Sequence, residues 1–138
     1  MADTQKLRKQ HAEFLEAIRQ IDAALNPQRL AEGSGEVRTL LSQLMGKLSL
    51  HLAVEDNAVY PSLVKHADAK VRDVGAKFSS EMASVKPTLE AFGKKWSEPE
   101  IAKNAVAFCA ETKKLFAVLA DRIKRENTEL YPLLERAA

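Results

Sequence analysis

Apolar residues recur every three or four positions through four long stretches of the chain, as they do along one face of an α-helix. Three short stretches rich in glycine, proline or polar residues separate them, at 26–35, 65–70 and 96–100. We interpret the first as a loop, the second as a tight connection and the third as a helix start capped by Ser97. The pattern predicts an all-α fold, an up-down-up-down four-helix bundle.

A few polar residues interrupt the apolar stripes that should face the core. The stripe of the second helix, for example, runs through Val37, Leu41, Leu44, Leu48, His51, Glu55 and Ala58. Across the four helices the strongly polar interruptions are His11, His51, Glu55, Arg122 and Glu126. Because burying an unpaired charge costs several kcal/mol, these side chains should contact one another or a metal ion.

Two segments 71 positions apart share a carboxylate and a Tyr-Pro pair: HLAVEDNAVYPSL at 51–63 and RIKRENTELYPLL at 122–134. The offset equates four pairs of residues: Glu55 with Glu126, Tyr60 with Tyr131, His11 with Met82, and His51 with Arg122. A duplicated helical hairpin packed against its copy would have an approximate twofold axis. One half of such a bundle keeps its histidines, and the other half has lost both.

The histidines and carboxylates suit metal binding. His51 and Glu55 are four residues apart, so they project from one face of their helix. His11 from the first helix and Glu126 from the fourth complete a set of two histidines and two carboxylates. Iron, zinc or manganese would accept that set. Without a metal, the same residues would form a buried hydrogen-bonded network.

At these residues the chain resembles the hemerythrin-like HHE cation-binding domains. The resemblance covers nearly the whole chain as one domain, residues 1–138, and rests on His11, His51-x-x-x-Glu55, Tyr60-Pro61, Glu126 and Tyr131-Pro132. It implies a four-helix bundle with a non-haem di-iron site that binds dioxygen or senses oxygen, iron or redox state. The metal-ligand role carries over to His11, His51, Glu55 and Glu126.

The sequence departs from the family pattern at Met82 and Arg122, where the family has histidine. Both departures fall in one half of the site, so we expect a single iron ion or an asymmetric pair rather than an ordinary di-iron centre. The Arg122 guanidinium suits carboxylates and would bridge Glu55 and Glu126 in place of the second cation. Glu81, one residue off the stripe, is a weaker candidate ligand.

Several residues near the candidate site also have purely structural interpretations. Tyr60 and Tyr131 suit packing at the end of the bundle, with hydrogen bonds to the metal ligands as the alternative. Met82 suits the filling of a core gap better than thioether ligation. Pro61 and Pro132 should kink the last turns of their helices.

Composition narrows the function classes. The apolar fraction of 46% and charged fraction of 29% are typical of a soluble globular protein. A net charge of +2 gives no argument for nucleic acid or a membrane surface, and no apolar run approaches membrane-spanning length. A single cysteine excludes an internal disulfide, and the first ten residues lack the apolar stretch of a signal peptide. These features favour a cytoplasmic protein.

Three functions stay open at this point. The first is a hemerythrin-like protein that binds one metal ion, or an asymmetric pair, and senses or handles oxygen, redox state or metal. The second is a metal-free bundle for regulation or protein interaction, whose polar core Arg122 would hold in register. The third is a non-haem metalloenzyme that consumes peroxide, for which the sequence shows neither an open coordination position nor a substrate route.

Overall fold

The computed structural model of the protein describes residues 3–137, and nearly all of them are helical. The α-helices are α1 (Thr4–Ala23), α2 (Pro27–Glu32), α3 (Gly35–Val54), α4 (Tyr60–Val64), α5 (Ala69–Met82), α6 (Val85–Lys95), α7 (Glu98–Lys103), α8 (Ala105–Arg125) and α9 (Tyr131–Ala137). Two short π-helices, Glu55–Val59 and Glu126–Leu130, join α3 to α4 and α8 to α9. Residues 3–137 contain no strand, which confirms the all-α fold class.

The polar stretches between the predicted helices contain helix starts. Ser97 caps α7, as predicted, and accepts a hydrogen bond from the N–H of Glu100 at 3.4 Å. The predicted loop at 26–35 is wrong over most of its length, since Asn26 caps the short helix α2. This helix buries Leu30, which gives so short an element a reason to fold.

The third predicted helix is interrupted near its middle. Its regular first part, α5, ends at Met82, and α6 begins at Val85. Pro87 lies in the first turn of α6, where a missing N–H costs nothing. A new helix therefore begins near this proline, and the break leaves Met82 on the last turn of α5.

Each Tyr-Pro pair follows a π-helix that begins at a candidate metal ligand. The N–H of Tyr60 donates to the carbonyl of Glu55, and the N–H of Tyr131 donates to that of Glu126, five residues back in each case. The regular ladder cannot continue because the next residue is a proline, which has no N–H. Short π-helices of this kind occur mostly at functional sites.

The first π-helix also changes which residue is buried. Its hydrogen bonds span five residues instead of four, so the residues that follow are shifted around the helix axis relative to a regular α-helix. Val59 is consequently buried and Ala58 faces solvent, so the predicted burial of Ala58 is wrong.

The core runs between the long helices. α1 packs on α3 and α8, α3 packs on α6, and α4 packs on α5. The largest fully buried side chains include Phe14, Phe78, Trp96, Phe108 and Tyr131. No helix within residues 3–137 is long and apolar enough to cross a membrane.

Candidate metal centre

The four predicted ligands come together inside the core. His11 lies in α1, His51 lies in the last turn of α3, and Glu55 and Glu126 are the first residues of the two π-helices. Each is at most 3% exposed. Sequence periodicity thus placed all four on core-facing positions, and tertiary packing brings them to one point.

The two histidine rings face each other through their Nε2 atoms, which are 3.1 Å apart. The Nε2 of His11 is 3.1 Å from Oε1 of Glu126, and the Nε2 of His51 is 3.2 Å from Oε1 of Glu55. Ligand atoms of His11, His51 and Glu126 all lie within 4.8 Å of one another, so these three could hold a metal ion.

Amide side chains orient both histidines from outside. The Nδ1 of His11 lies 2.8 Å from Oδ1 of Asn127, and the Nδ1 of His51 lies 2.7 Å from Oε1 of Gln10. Because an amide oxygen only accepts, each Nδ1 carries a proton, and a neutral ring then keeps its lone pair on Nε2. Metal-binding histidines are held in this way.

Sequence reasoning missed both amide residues. Gln10 and Asn127 are neighbours in sequence of His11 and Glu126, but each binds a histidine of another helix. Adjacency to a ligand is the one signal in the sequence that could have pointed to them.

Two buried tyrosines hold the carboxylates. Tyr60 donates a hydrogen bond to Oε2 of Glu126 at 3.1 Å, and Tyr131 donates to Oε2 of Glu55 at 3.2 Å. Burial raises the pKa of both phenols, and the two carboxylates raise it further. Hydrogen bonding to the candidate ligands, rather than packing alone, is therefore the role that the contacts give these residues.

Burial also sets the protonation of the centre. Desolvation and the charge of His11 lower the pKa of His51 to about 4, so its ring is neutral at pH 7. Burial raises the pKa of Glu55, and the hydrogen bond and charge of Glu126 raise it further. Burial raises the pKa of Glu126 as well, but hydrogen bonds with His11 and Glu55 outweigh that effect, and its pKa is lowered. In the metal-free centre Glu126 is ionised and Glu55 is protonated.

One carboxylate oxygen is left without a partner. Among the described residues, nothing donates a hydrogen bond to the buried Oε1 of Glu55. The Nε2 of His51, 3.2 Å away, has no proton to give in the tautomer that Gln10 sets, so only a proton on Glu55 itself could join the two atoms. An unpaired buried acceptor costs roughly 1–3 kcal/mol.

These features fit a bound cation. The four residues line a cavity of about 20 Å³, and a water molecule needs about 10–15 Å³. An ion there would meet the Nε2 atoms of both histidines and Oε1 of Glu55, which otherwise face one another. The nitrogen and oxygen donors suit a first-row transition metal.

Arg122 does not bridge Glu55 and Glu126, so that prediction is wrong. It lines the same cavity, but its Nη1 donates to Oε2 of Glu81 at 2.8 Å. The Arg122 side chain is 13% exposed and that of Glu81 is 32% exposed. The long side chain turns outward to the rim of the bundle, where solvent reduces the cost of its charge.

Glu81 is held by a second arginine as well. Arg125 donates to the same carboxylate oxygen at 2.9 Å, and both guanidinium groups lie over the ring of Phe78. Hydrogen bonds from Arg122 and Arg125 lower the pKa of Glu81. Glu81 is thus engaged away from the histidines, whereas buried Met82 lines the cavity with an apolar side chain.

The 71-residue repeat extends to these outer contacts. It equates Gln10 with Glu81, and His51 with Arg122. Gln10 contacts the side chain of His51, and Glu81 contacts that of Arg122. The second half has kept the outer contact while the inner side chain changed from an imidazole to a guanidinium.

Comparison with known proteins gives one family. The family model of the hemerythrin HHE cation-binding domain matches residues 2–134 of the 138-residue chain. The match spans every element that supplies the candidate centre. No curated protein and no solved structure matches the chain.

Proposed function

We propose, from the premise that this chain belongs to the hemerythrin HHE cation-binding domain family, that it binds a single transition-metal ion in the core. The ligands are His11, His51, Glu55 and Glu126. The observation that carries the proposal is the approach of the two histidine Nε2 atoms to 3.1 Å with their protons held on the opposite nitrogens. Two ring nitrogens so close repel each other unless a cation, either a metal ion or a proton, lies between them.

The second half of the centre supports one ion rather than two. The repeat places Met82 and Arg122 where a second pair of histidines would stand. Methionine supplies only a weak thioether donor, and a guanidinium is cationic and has no lone pair to donate. Arg122 also lines the cavity, where its charge opposes a second cation.

Iron is the metal we propose first, because the family typically holds it, and zinc and manganese suit the same donors. Bound iron would supply a redox-active centre that can take up a small oxygen species such as dioxygen or peroxide. The protein holds the ligands in place: Gln10 and Asn127 orient the histidines, and the tyrosines hold the carboxylates. We place the role in sensing or handling oxygen, redox state or metal.

We infer the finer architecture in the same way. The four long segments of an up-down-up-down bundle would be α1, α3 with α4, α5 with α6, and α8 with α9. Contacts of α1 with α3, of α4 with α5, and of α1 with α8 support it. Helices α2 and α7 would be short connections that pack on each other at one end. We propose that residues 1–138 form one domain.

The test is metal content per chain, in protein purified without chelator and again after anaerobic loading with iron(II). We expect one ion per chain. His51→Ala and Glu126→Gln should each lose it. His66→Ala is the matched control, since His66 lies in the connection after α4, where its Nδ1 accepts from the N–H of Asp68. No metal after loading, or equal loss in the His66 variant, would reject the proposal.

The metal-free regulatory bundle is the alternative function. It would need protons in place of the metal ion, one between the two Nε2 atoms and one on Glu55. Arg122, which was expected to hold such a core together, contacts Glu81 instead. The loading experiment separates metal binding from the metal-free bundle. Peroxide turnover that disappears in His51→Ala would favour the third function, a peroxide-consuming metalloenzyme.

A further inference from the structure

We propose that Tyr131 is itself a ligand of the metal ion, through its phenol oxygen. The centre would then combine two histidines, two carboxylates and one phenolate. This inference deepens the proposed function and rests on it.

The Tyr131 oxygen lies within the donor cluster rather than beside it. It is 3.2 Å from Nε2 of His11, 3.4 Å from Nε2 of His51 and 3.2 Å from Oε2 of Glu55. The histidine nitrogens and carboxylate oxygens approach one another at 3.1 and 3.2 Å. The phenol oxygen therefore lies within 0.3 Å of the spacing that the ligand atoms keep from one another.

Hydrogen bonding alone does not account for this position. A phenol has one proton, and Tyr131 donates it to Glu55. The Nε2 of His51, 3.4 Å away, carries a lone pair, because its ring proton lies on Nδ1 beside Gln10. The phenol oxygen thus faces an acceptor with nothing to give it, and a cation between the two atoms removes that conflict.

The ring of Tyr131 is held firmly enough to present its oxygen. The side chain is fully buried, and its ring stacks on that of His11 with centroids 5.2 Å apart and planes 17° apart. The guanidinium of Arg8 lies over the same ring, 5.6 Å from its centroid.

Charge balance favours the ferric ion. On binding, Tyr131 would break its O–H bond and Glu55 would release its own proton, so that both oxygens could bond the metal while two protons left to bulk water. Two carboxylates and one phenolate carry three negative charges, which equal the charge of iron(III). Both histidines bind as neutral rings, so the five-ligand set with iron(III) is electrically neutral, as a buried site requires.

Tyr60 is a matched control within the same chain. The repeat equates it with Tyr131, it is also buried, and it also donates to a carboxylate of the centre. It differs in lying in the half that has lost its histidines. Among the described residues, its hydroxyl contacts Glu126 and neither histidine nitrogen.

The test uses the visible spectrum. Protein is loaded anaerobically with iron(II), oxidised with ferricyanide and desalted. We expect a phenolate-to-iron(III) charge-transfer band, and tyrosinate ring modes in the resonance Raman spectrum excited within it. Tyr131→Phe should lose both signals while keeping iron on the other four ligands. Tyr60→Phe removes a hydrogen bond to Glu126 and should lower iron affinity, but the iron that it binds should keep both signals.

The outcomes separate this inference from the proposed function. Iron binding without the band, in the unaltered chain, overturns the role of Tyr131 and leaves the metal site standing. The chain has only two tyrosines, so tyrosinate modes that survive in Tyr60→Phe must come from Tyr131. That variant therefore decides the question even if Tyr131→Phe fails to bind iron. Loss of the band in Tyr60→Phe with retained iron overturns the inference.

Discussion

Arg122 donates a hydrogen bond to Glu81 at 2.8 Å in the half of the molecule that has lost its histidines. In the other half, the repeat-equivalent contact joins the Nδ1 of His51 to Gln10 at 2.7 Å. An acceptor for a histidine Nδ1–H thus already stands in the altered half, where Glu81 lies beside residue 122. The second half-site lacks its inner ligands and keeps one outer contact.

Restoring the inner ligands should restore metal binding in that half. We predict that Met82→His combined with Arg122→His raises metal content from one ion towards two ions per chain. The two new imidazoles supply donors and remove the guanidinium charge from the cavity. Metal analysis after anaerobic iron(II) loading measures the result.

Glu81 supplies the control for that experiment. Adding Glu81→Ala to the double variant should reduce the gain, since the new histidine at 122 would lose its acceptor. A double variant that holds no more metal than the parent would show that these positions do not form a second half-site.

The amides that orient the histidines should control metal affinity. Loss of such an outer contact typically lowers affinity about 10–100-fold. We expect a decrease of that order in Gln10→Ala and in Asn127→Ala, measured by competition with a chromogenic chelator. Asp56→Ala is the control, because the repeat equates exposed Asp56 with Asn127. Equal affinity in all three variants would contradict the tautomer assignment.

Glu55 should make the metal-free protein less stable as pH rises. Burial raises its pKa in the folded state, whereas an unfolded glutamate titrates near ~4.3. Above that pH the folded chain keeps a proton that the unfolded chain releases, so the free energy of unfolding falls with increasing pH. Glu55→Gln cannot ionise and should escape this loss.

Calorimetry of chelated protein tests the Glu55 prediction. The melting temperature of Glu55→Gln should exceed that of the parent, by an amount that grows between about pH 5 and pH 8. The same variant should bind metal more weakly, because an amide replaces a carboxylate ligand. Parallel melting curves over that pH range would mean that Glu55 is ionised in the metal-free fold.

Alanine substitutions at two glycines test how closely α4 packs on α5, with Gly75 at the contact and Gly46 away from it. A Cβ added at Gly75 would lie 2.6 Å from the Cβ of Leu63, so Gly75→Ala should destabilise the fold by about 1–3 kcal/mol. A Cβ added at exposed Gly46 in α3 would have no heavy atom of the described residues within 4 Å, apart from its chain neighbours and its own helix backbone. Gly46→Ala should therefore stabilise the protein by about 0.5–1 kcal/mol. Denaturant unfolding measures both changes, and stabilisation by both would contradict the close helix contact.

Sequence periodicity predicted the core with particular success where helices are long and regular. The predicted all-α class and the family are confirmed. Helix α2 escaped prediction because six residues are too few to show a helical period. Ala58 was assigned to the core because periodicity assumes a constant turn, and the π-helix at Glu55–Val59 adds a residue there.

The sequence by itself determined that two histidines and two carboxylates face the core, since burial follows the helical period wherever the helix is regular. It also determined which half of the repeat has lost its histidines. Only the tertiary structure decided where Arg122 points, because a long side chain at the edge of a stripe can turn to either side. It alone placed Gln10 and Asn127 at the centre, and it decided between packing and hydrogen bonding for Tyr131, because those contacts cross between helices far apart in sequence.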